Sequence, residues 1–254
     1  MPYVNNGDIN IYYEVEGSGE PLVLHHGFSR SLEDWKNYGY VEEFKNEYRL
    51  IMIDARGHGR SDKPHRSEAY TMNQRTGDVA SVLEKLGIET TSFFGYSYGG
   101  RVAYELGNCM PNKITSLIIG GCGAGSLSSR YVEENIKQLH QRSEETLPLH
   151  KQTSLPQSRM QTRLPINDMD ALSAILKQPW IDLQNSLRKM KIPVLVFGGE
   201  FDYALPGMLE AAKFLPYANF VTIPGLDHKQ TISRSDLIAP IMREFLRKAI
   251  KRKR

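Results

Sequence analysis

The chain of 254 residues nowhere strings together the roughly 18 apolar residues that a membrane-spanning helix needs, so no membrane insertion is expected. Its first residues, MPYVNNGDIN, lack both a basic start and an apolar run. A secretory signal is therefore not expected, and the expected location is the cytoplasm. Cysteine is scarce. Cys109 and Cys122 share no metal-ligand spacing and are too few for a disulfide framework, which suits a reducing compartment and two thiols packed as small core residues. No group of His, Cys, Asp and Glu shows metal-ligand spacing, so neither a metal nor a cofactor is expected. Net charge is also small. The terminal KRKR carries more positive charge than the whole +3 excess, leaving the rest of the chain slightly acidic, and the tail reads as a solvated helix end, with no nucleic-acid partner expected.

What remains is an ordinary globular composition, 40% hydrophobic and 24% charged, long enough for one large core. Short apolar runs recur: LVLH at 22–25, LIMI at 50–53, SFFG at 92–95, SLIIG at 116–120 and VLVFGG at 194–199. Runs without polar alternation suit strands buried on both faces. Helical patterns fall between them, at 74–86 and 98–110. In the second, Val102, Leu106, Cys109 and Met110 share a face before Pro111 stops it. A last helical pattern places Leu237, Ile238, Ile241, Met242, Phe245, Leu246 and Ala249 at helical spacing. Alternating strands and helices predict an α/β fold with a mostly parallel sheet. Residues 123–185 break that rhythm, with a helix predicted at 128–142, a polar stretch at 140–165 and another helix begun by Asn167 or Asp168. This division gives a core of residues 1–122 and 186–254 and an insertion placed as a cap over the carboxyl edge of the sheet, where ligands bind in such folds.

The chemistry starts from residues 95–100, GYSYGG. A G-x-S-x-G pattern arises by chance in roughly one chain in ten of this length, so the motif alone is weak. Its context adds to it. TSFFG reads as a strand, YSYGG as a sharp turn and RVAYELGNCM as a helix, so Ser97 sits at the apex of a strand-turn-helix with small neighbours that let the two elements approach. The turn exposes the hydroxyl beside the first amides of a helix, a setting that favours developing negative charge.

A serine hydroxyl needs a base, and the base needs a group that fixes its tautomer. Downstream, VFGGEFDYALP places Asp202 just past a strand, and FVTIPGLDH places His228 in the loop after another. The order Ser, Asp, His is the one expected for a nucleophile elbow on an α/β sheet.

Taken together, HHGFSRSLEDW, DARGHGRSDKP, GYSYGG, GGEFD and GLDH, in that order over most of the chain, resemble the α/β-hydrolase superfamily in a small, short-capped, serine-esterase-like form. The resemblance implies that Ser97 is the nucleophile, His228 the general base and then acid, and Asp202 the orienting carboxylate. It also implies an oxyanion hole formed by the backbone N–H groups of Phe28 and Tyr98. Asp227 adjoins His228, but adjacent side chains point apart. His26 is expected to brace the loop presenting Phe28, and His25 to be packed at a strand end. Asp54, Arg56, His58 and Arg60 are expected to brace turns. The run GGCGAG at 120–125 lacks dinucleotide-loop spacing.

These residues fit acyl transfer from a small-molecule ester. Serine at 97 argues against dehalogenase and epoxide hydrolase chemistry, which needs a carboxylate nucleophile. Lactonase, carbon–carbon hydrolase, cofactor-free haloperoxidase or perhydrolase and acyltransferase outcomes share the same triad. A small-molecule receptor with little turnover shares the fold. Substrate identity, stereochemistry and oligomeric state are not encoded in the motif spacing.

Overall fold

The computed structural model describes residues 2–130, 132–139 and 167–251. Eight strands form one sheet: β1 (Tyr3–Asn6), β2 (Ile9–Glu16), β3 (Glu20–His25), β4 (Tyr48–Ile53), β5 (Thr91–Tyr96), β6 (Ile114–Gly120), β7 (Val194–Gly199) and β8 (Ala218–Ile223). Their order is β1-β2-β4-β3-β5-β6-β7-β8. From β4 onward every pairing is parallel, while β1–β2 and β2–β4 are antiparallel.

Helices cover both faces, as the buried runs require. Successive strand residues feed opposite layers: Val23, Ile51, Phe93, Leu117, Ile119, Val194 and Val196 join one apolar cluster, whereas Leu22, Leu24, Leu50, Met52, Phe94, Ile118, Leu195 and Phe197 join the other. The short helices α1 (Glu33–Asn37) and α2 (Tyr40–Phe44) pack on the second layer. Against the first lie α3 (Met72–Lys85), α4 (Tyr98–Cys109), α5 (Met169–Lys177), α6 (Gln184–Leu187) and α7 (Leu205–Phe214). The short α8 (His228–Ser233) leads into α9 (Ser235–Lys251), which joins α1 and α2 on the second layer. Each fully buried Leu, Ile, Val or Phe in these layers contributes roughly 1.5–3 kcal/mol.

The helix expected at 74–86 is α3, which starts two residues earlier, after Thr71, whose side chain accepts from the Gln74 amide. Of the two residues expected to open the next helix it is Asp168 that caps α5, accepting from the Ala171 amide at 3.0 Å. Residues 129–130 and 132–139 are helical. The polar stretch 140–165 and the tail 252–254 lie outside the described residues. One expectation fails. Cys109 is exposed, because the last turn of α4 has left the core; only Cys122 is buried. The last helical pattern forms α9, with Leu237 exposed in its first turn. The antiparallel β1–β2 pair escapes a criterion built on continuous apolar runs, since an edge strand shows one face to water.

Candidate active site

The parallel strands β3, β5, β6 and β7 deliver their carboxyl ends to one edge, and the candidate residues gather there. β5 ends at Tyr96 and α4 starts at Tyr98, leaving Ser97 alone between strand and helix to reverse the chain. This tightness requires glycine: a Cβ at Gly95 would strike the Gly99 carbonyl oxygen, and one at Gly99 would strike that of His25. Ser97 adopts φ 54° and ψ −110°, a left-handed conformation costly for any residue with a side chain. Two main-chain hydrogen bonds hold it there, from Ser97 N to Gly120 O at 2.8 Å and from Arg101 N to Ser97 O at 3.0 Å.

Asp202 follows β7 and is buried, whereas His228 opens α8. The imidazole Nδ1 lies 2.9 and 3.0 Å from the two Asp202 carboxylate oxygens. A carboxylate only accepts, so Nδ1 carries the proton and Nε2 of the neutral ring presents its lone pair. The Ala204 amide donates to Asp202 at 2.8 Å and steadies it. Asp227 does other work: it caps α8, its carboxylate accepting from the amides of Lys229 and Gln230, while the Gln230 side chain accepts from the Asp227 amide.

Ser97 and His228 line the same cavity, of about 820 Å³, together with Phe28 and Tyr98. That size lies within the ordinary range for small-ligand sites. Among the described residues, neither the Phe28 nor the Tyr98 amide donates to a protein acceptor. A Cβ built on Gly27 would lie 3.6 Å from Ser97 Cβ, so the loop carrying Phe28 passes directly over the serine. Ser97 Oγ makes no hydrogen bond among the described residues. Nε2 of His228 instead lies 3.5 Å from the Tyr203 hydroxyl, at the long limit of a hydrogen bond.

The buried histidines His25, His26 and His58 are structural in their contacts. His26 accepts from the Ala55 amide through Nε2 at 3.0 Å, so its Nδ1 donates to Gly27 O at 2.8 Å and ties the Phe28 loop to the loop after β4. Burial, aided by neighbouring His26, pushes the His25 imidazole down to about 3, and burial holds His58 well below the usual range. Asp54 accepts from the Leu32 and Arg60 amides at 2.7 and 2.8 Å. Arg56 forms a buried two-pronged pair with Asp78 at 2.6 and 2.5 Å, joining that loop to α3, and the Arg60 guanidinium donates to Tyr12. The GGCGAG run borders the cavity through Gly121, Cys122, Gly123 and Gly125.

Three contributors carry no motif signal. Tyr96, hidden inside GYSYGG, donates to the His228 carbonyl at 2.6 Å and sets the histidine loop. Tyr203 packs its ring 4.7 Å from the imidazole; its one clue is adjacency to Asp202. Asn167 donates to the Ser29 carbonyl at 2.9 Å, where Ser29 itself is left-handed at φ 57°. Sequence spacing also missed a convergence of His65, Asp168 and Asp170, whose ligand atoms lie within 4.8 Å of one another; there His65 pairs with Asp168 at 2.9 Å.

With this fold and geometry in place, the chain belongs to the α/β-hydrolase superfamily: residues 20–141 match the family described as alpha/beta hydrolase fold. The chain is 30% identical over 142 residues to epoxide hydrolase 4 of Mus musculus, covering 55% of this chain and 39% of that protein. It is 35% identical over 113 residues to the non-heme chloroperoxidase of Streptomyces lividans, covering 43% and 40%. It thus spans about two fifths of the length of these two relatives. Among solved structures, a thermophilic esterase from Thermogutta terrifontis, with malate bound, superposes with a TM-score of 0.77 at 25% identity over 95% of this chain and 94% of that one. No helix among the described residues is long and apolar enough to cross a membrane.

Proposed function

We propose that the protein is a serine hydrolase that cleaves a carboxylic ester through an acyl-enzyme. The observation that carries this reading is the Asp202–His228 pair, set across one cavity from a serine held in a strained turn. In the proposed reaction, substrate entry brings Nε2 of His228 from Tyr203 to the Ser97 hydroxyl, a contact that often tightens only in the substrate complex. Ser97 Oγ attacks the carbonyl carbon as Nε2 takes its proton. The amides of Phe28 and Tyr98 donate to the oxyanion, each worth about 2.7–4 kcal/mol of barrier. His228 then protonates the leaving alcohol, and water repeats the sequence to release the acid. Residues 123–185 serve as the cap, supported by the cavity wall that Leu127, Leu139, Leu176 and Trp180 supply.

Epoxide hydrolase relatives do not redirect this reading, because their chemistry needs a carboxylate where this chain has Ser97. The similarity to a non-heme chloroperoxidase supports a second outcome on the same acyl-enzyme, in which hydrogen peroxide replaces water and a peracid leaves. The test is steady-state hydrolysis of p-nitrophenyl esters from acetate upward, with peroxide as competing acceptor. Wild type should turn over repeatedly, and Ser97→Ala should lose on the order of a millionfold in kcat. Comparable turnover in the variant, or a single event per site in wild type, overturns the proposal.

A further inference from the structure

The cavity also carries an arginine whose charge is largely unused. Inside this protein, guanidinium groups are matched: Arg56 to Asp78, Arg75 and Arg101 to Glu105. Arg30 is different. It lines the cavity, is only partly buried, and its guanidinium makes no hydrogen bond among the described residues; its one ion pair is a loose Nε contact to Asp34 at 3.7 Å. The terminal fork, the part that fits a carboxylate through two parallel N–H donors, is left open.

Its placement is fixed from the backbone. Arg30 closes the turn over Gly27, donating its amide to the Gly27 carbonyl at 3.2 Å, and Asn167 pins the intervening Ser29. The Arg30 stem comes within 3.9 Å of the point where a Gly27 Cβ would stand, and Ser97 Cβ lies 3.6 Å from that same point. Arginine and nucleophile therefore flank one spot. Lys229, directly after His228, lines the same cavity and has no ion pair among the described residues. Asp34 is the one acid among the described lining residues, and it meets Arg30 only on the Nε side, at 3.7 Å. The described lining therefore carries more positive than negative charge, beside the serine.

We propose that Arg30, assisted by Lys229, forms a carboxylate subsite, so that the preferred substrates are esters whose acyl group ends in a carboxylate, the half-esters of dicarboxylic acids. This rests on the hydrolase reading above and narrows it to a substrate class. Asp34 stays on the Nε side of Arg30 while the substrate takes the open fork. The carboxylate fixes the far end of the chain and leaves the ester carbonyl for Ser97.

The test compares monoethyl glutarate, adipate, pimelate and suberate with ethyl esters of the neutral acids of equal chain length, following acid release. In parallel, the free dicarboxylates are titrated calorimetrically into Ser97→Ala. At the best-fitting length the half-ester should lead in kcat/KM by about tenfold or more, mainly through KM, with the lead shrinking as salt rises. Arg30→Gln should remove most of that lead and of the dicarboxylate binding. Arg30→Lys should fall between, having charge without the fork, and Lys229→Gln, at an exposed position, should reduce it less. Half-esters no better than neutral esters at any length, or a lead surviving in the Arg30→Gln, Lys229→Gln double variant, overturns the subsite while leaving the hydrolase intact. If no ester of either class turns over, the hydrolase reading falls. The calorimetry then decides the subsite alone: binding that vanishes in Arg30→Gln keeps it, and no binding ends it.

Discussion

Replacing Ser97 by glycine should make the protein more stable than replacing it by alanine, although both variants lose the nucleophile. At φ 54° and ψ −110° the residue occupies a region that costs a side-chain-bearing residue roughly 1–3 kcal/mol. Glycine enters it freely, but the flexibility it adds to the unfolded chain returns about 0.5–1 kcal/mol. The difference leaves Ser97→Gly ahead of Ser97→Ala by about 1 kcal/mol, which for a chain of this size is about 2–4 °C in Tm. Alanine is the proper reference because both variants lack the hydroxyl, so hydrogen bonding and reactivity cancel. Paired thermal melts and urea titrations, followed by tryptophan fluorescence, would measure it. Ser97→Gly melting at or below Ser97→Ala would refute the claim that strain is stored at residue 97.

Gly121 makes a second case. A Cβ there would lie 2.8 Å from both His228 Cε1 and Tyr96 Cζ, and the residue sits at φ +61°. Gly121→Ala should cost about 1–2 kcal/mol in stability from the left-handed backbone and, by displacing the imidazole, lower kcat about a hundredfold; an unchanged kcat with p-nitrophenyl esters would contradict it. Acid should also loosen the fold well above the carboxylate range. His25 is held neutral down to about 3 in the folded state against an ordinary 6.5. Its contribution is therefore complete above pH 6.5 and is lost as pH falls through the window toward 3. At pH 5 the loss is about 2 kcal/mol from this one group, with buried His58 adding in the same direction. Urea titrations at pH 7, 6 and 5 check this, and a flat profile over that range would count against it.

How much of this was legible beforehand depended on whether the information was local. The fully buried strands β5 and β7 announce themselves because both faces are apolar, and the elbow does so because strand, glycines and helix are contiguous. Asp202 and His228 were reachable because each follows a recognisable strand. Arg30, Tyr96, Tyr203 and Asn167 were not, because their roles arise where distant segments meet; nothing within a few residues of Asn167 reports that it touches Ser29. Cys109 shows the opposite error. Helical spacing put it on the apolar face of α4, but burial in a last turn depends on what packs beyond the helix end, which periodicity does not describe.

The elbow also bears on how such a protein can change its trade over generations. Side chains at 95 or 99 would collide with main chain, so those positions admit no experiment, whereas residue 97 projects from a socket built by its neighbours. The oxyanion donors proposed for the site are main-chain amides and come with the socket whatever residue 97 is. Tool and handle are therefore separable: oxygen, sulfur or carboxylate can be mounted at one position by exchange of a single side chain, and a lineage inheriting this turn inherits a workbench, with the particular reaction left to one codon and the walls of the cavity.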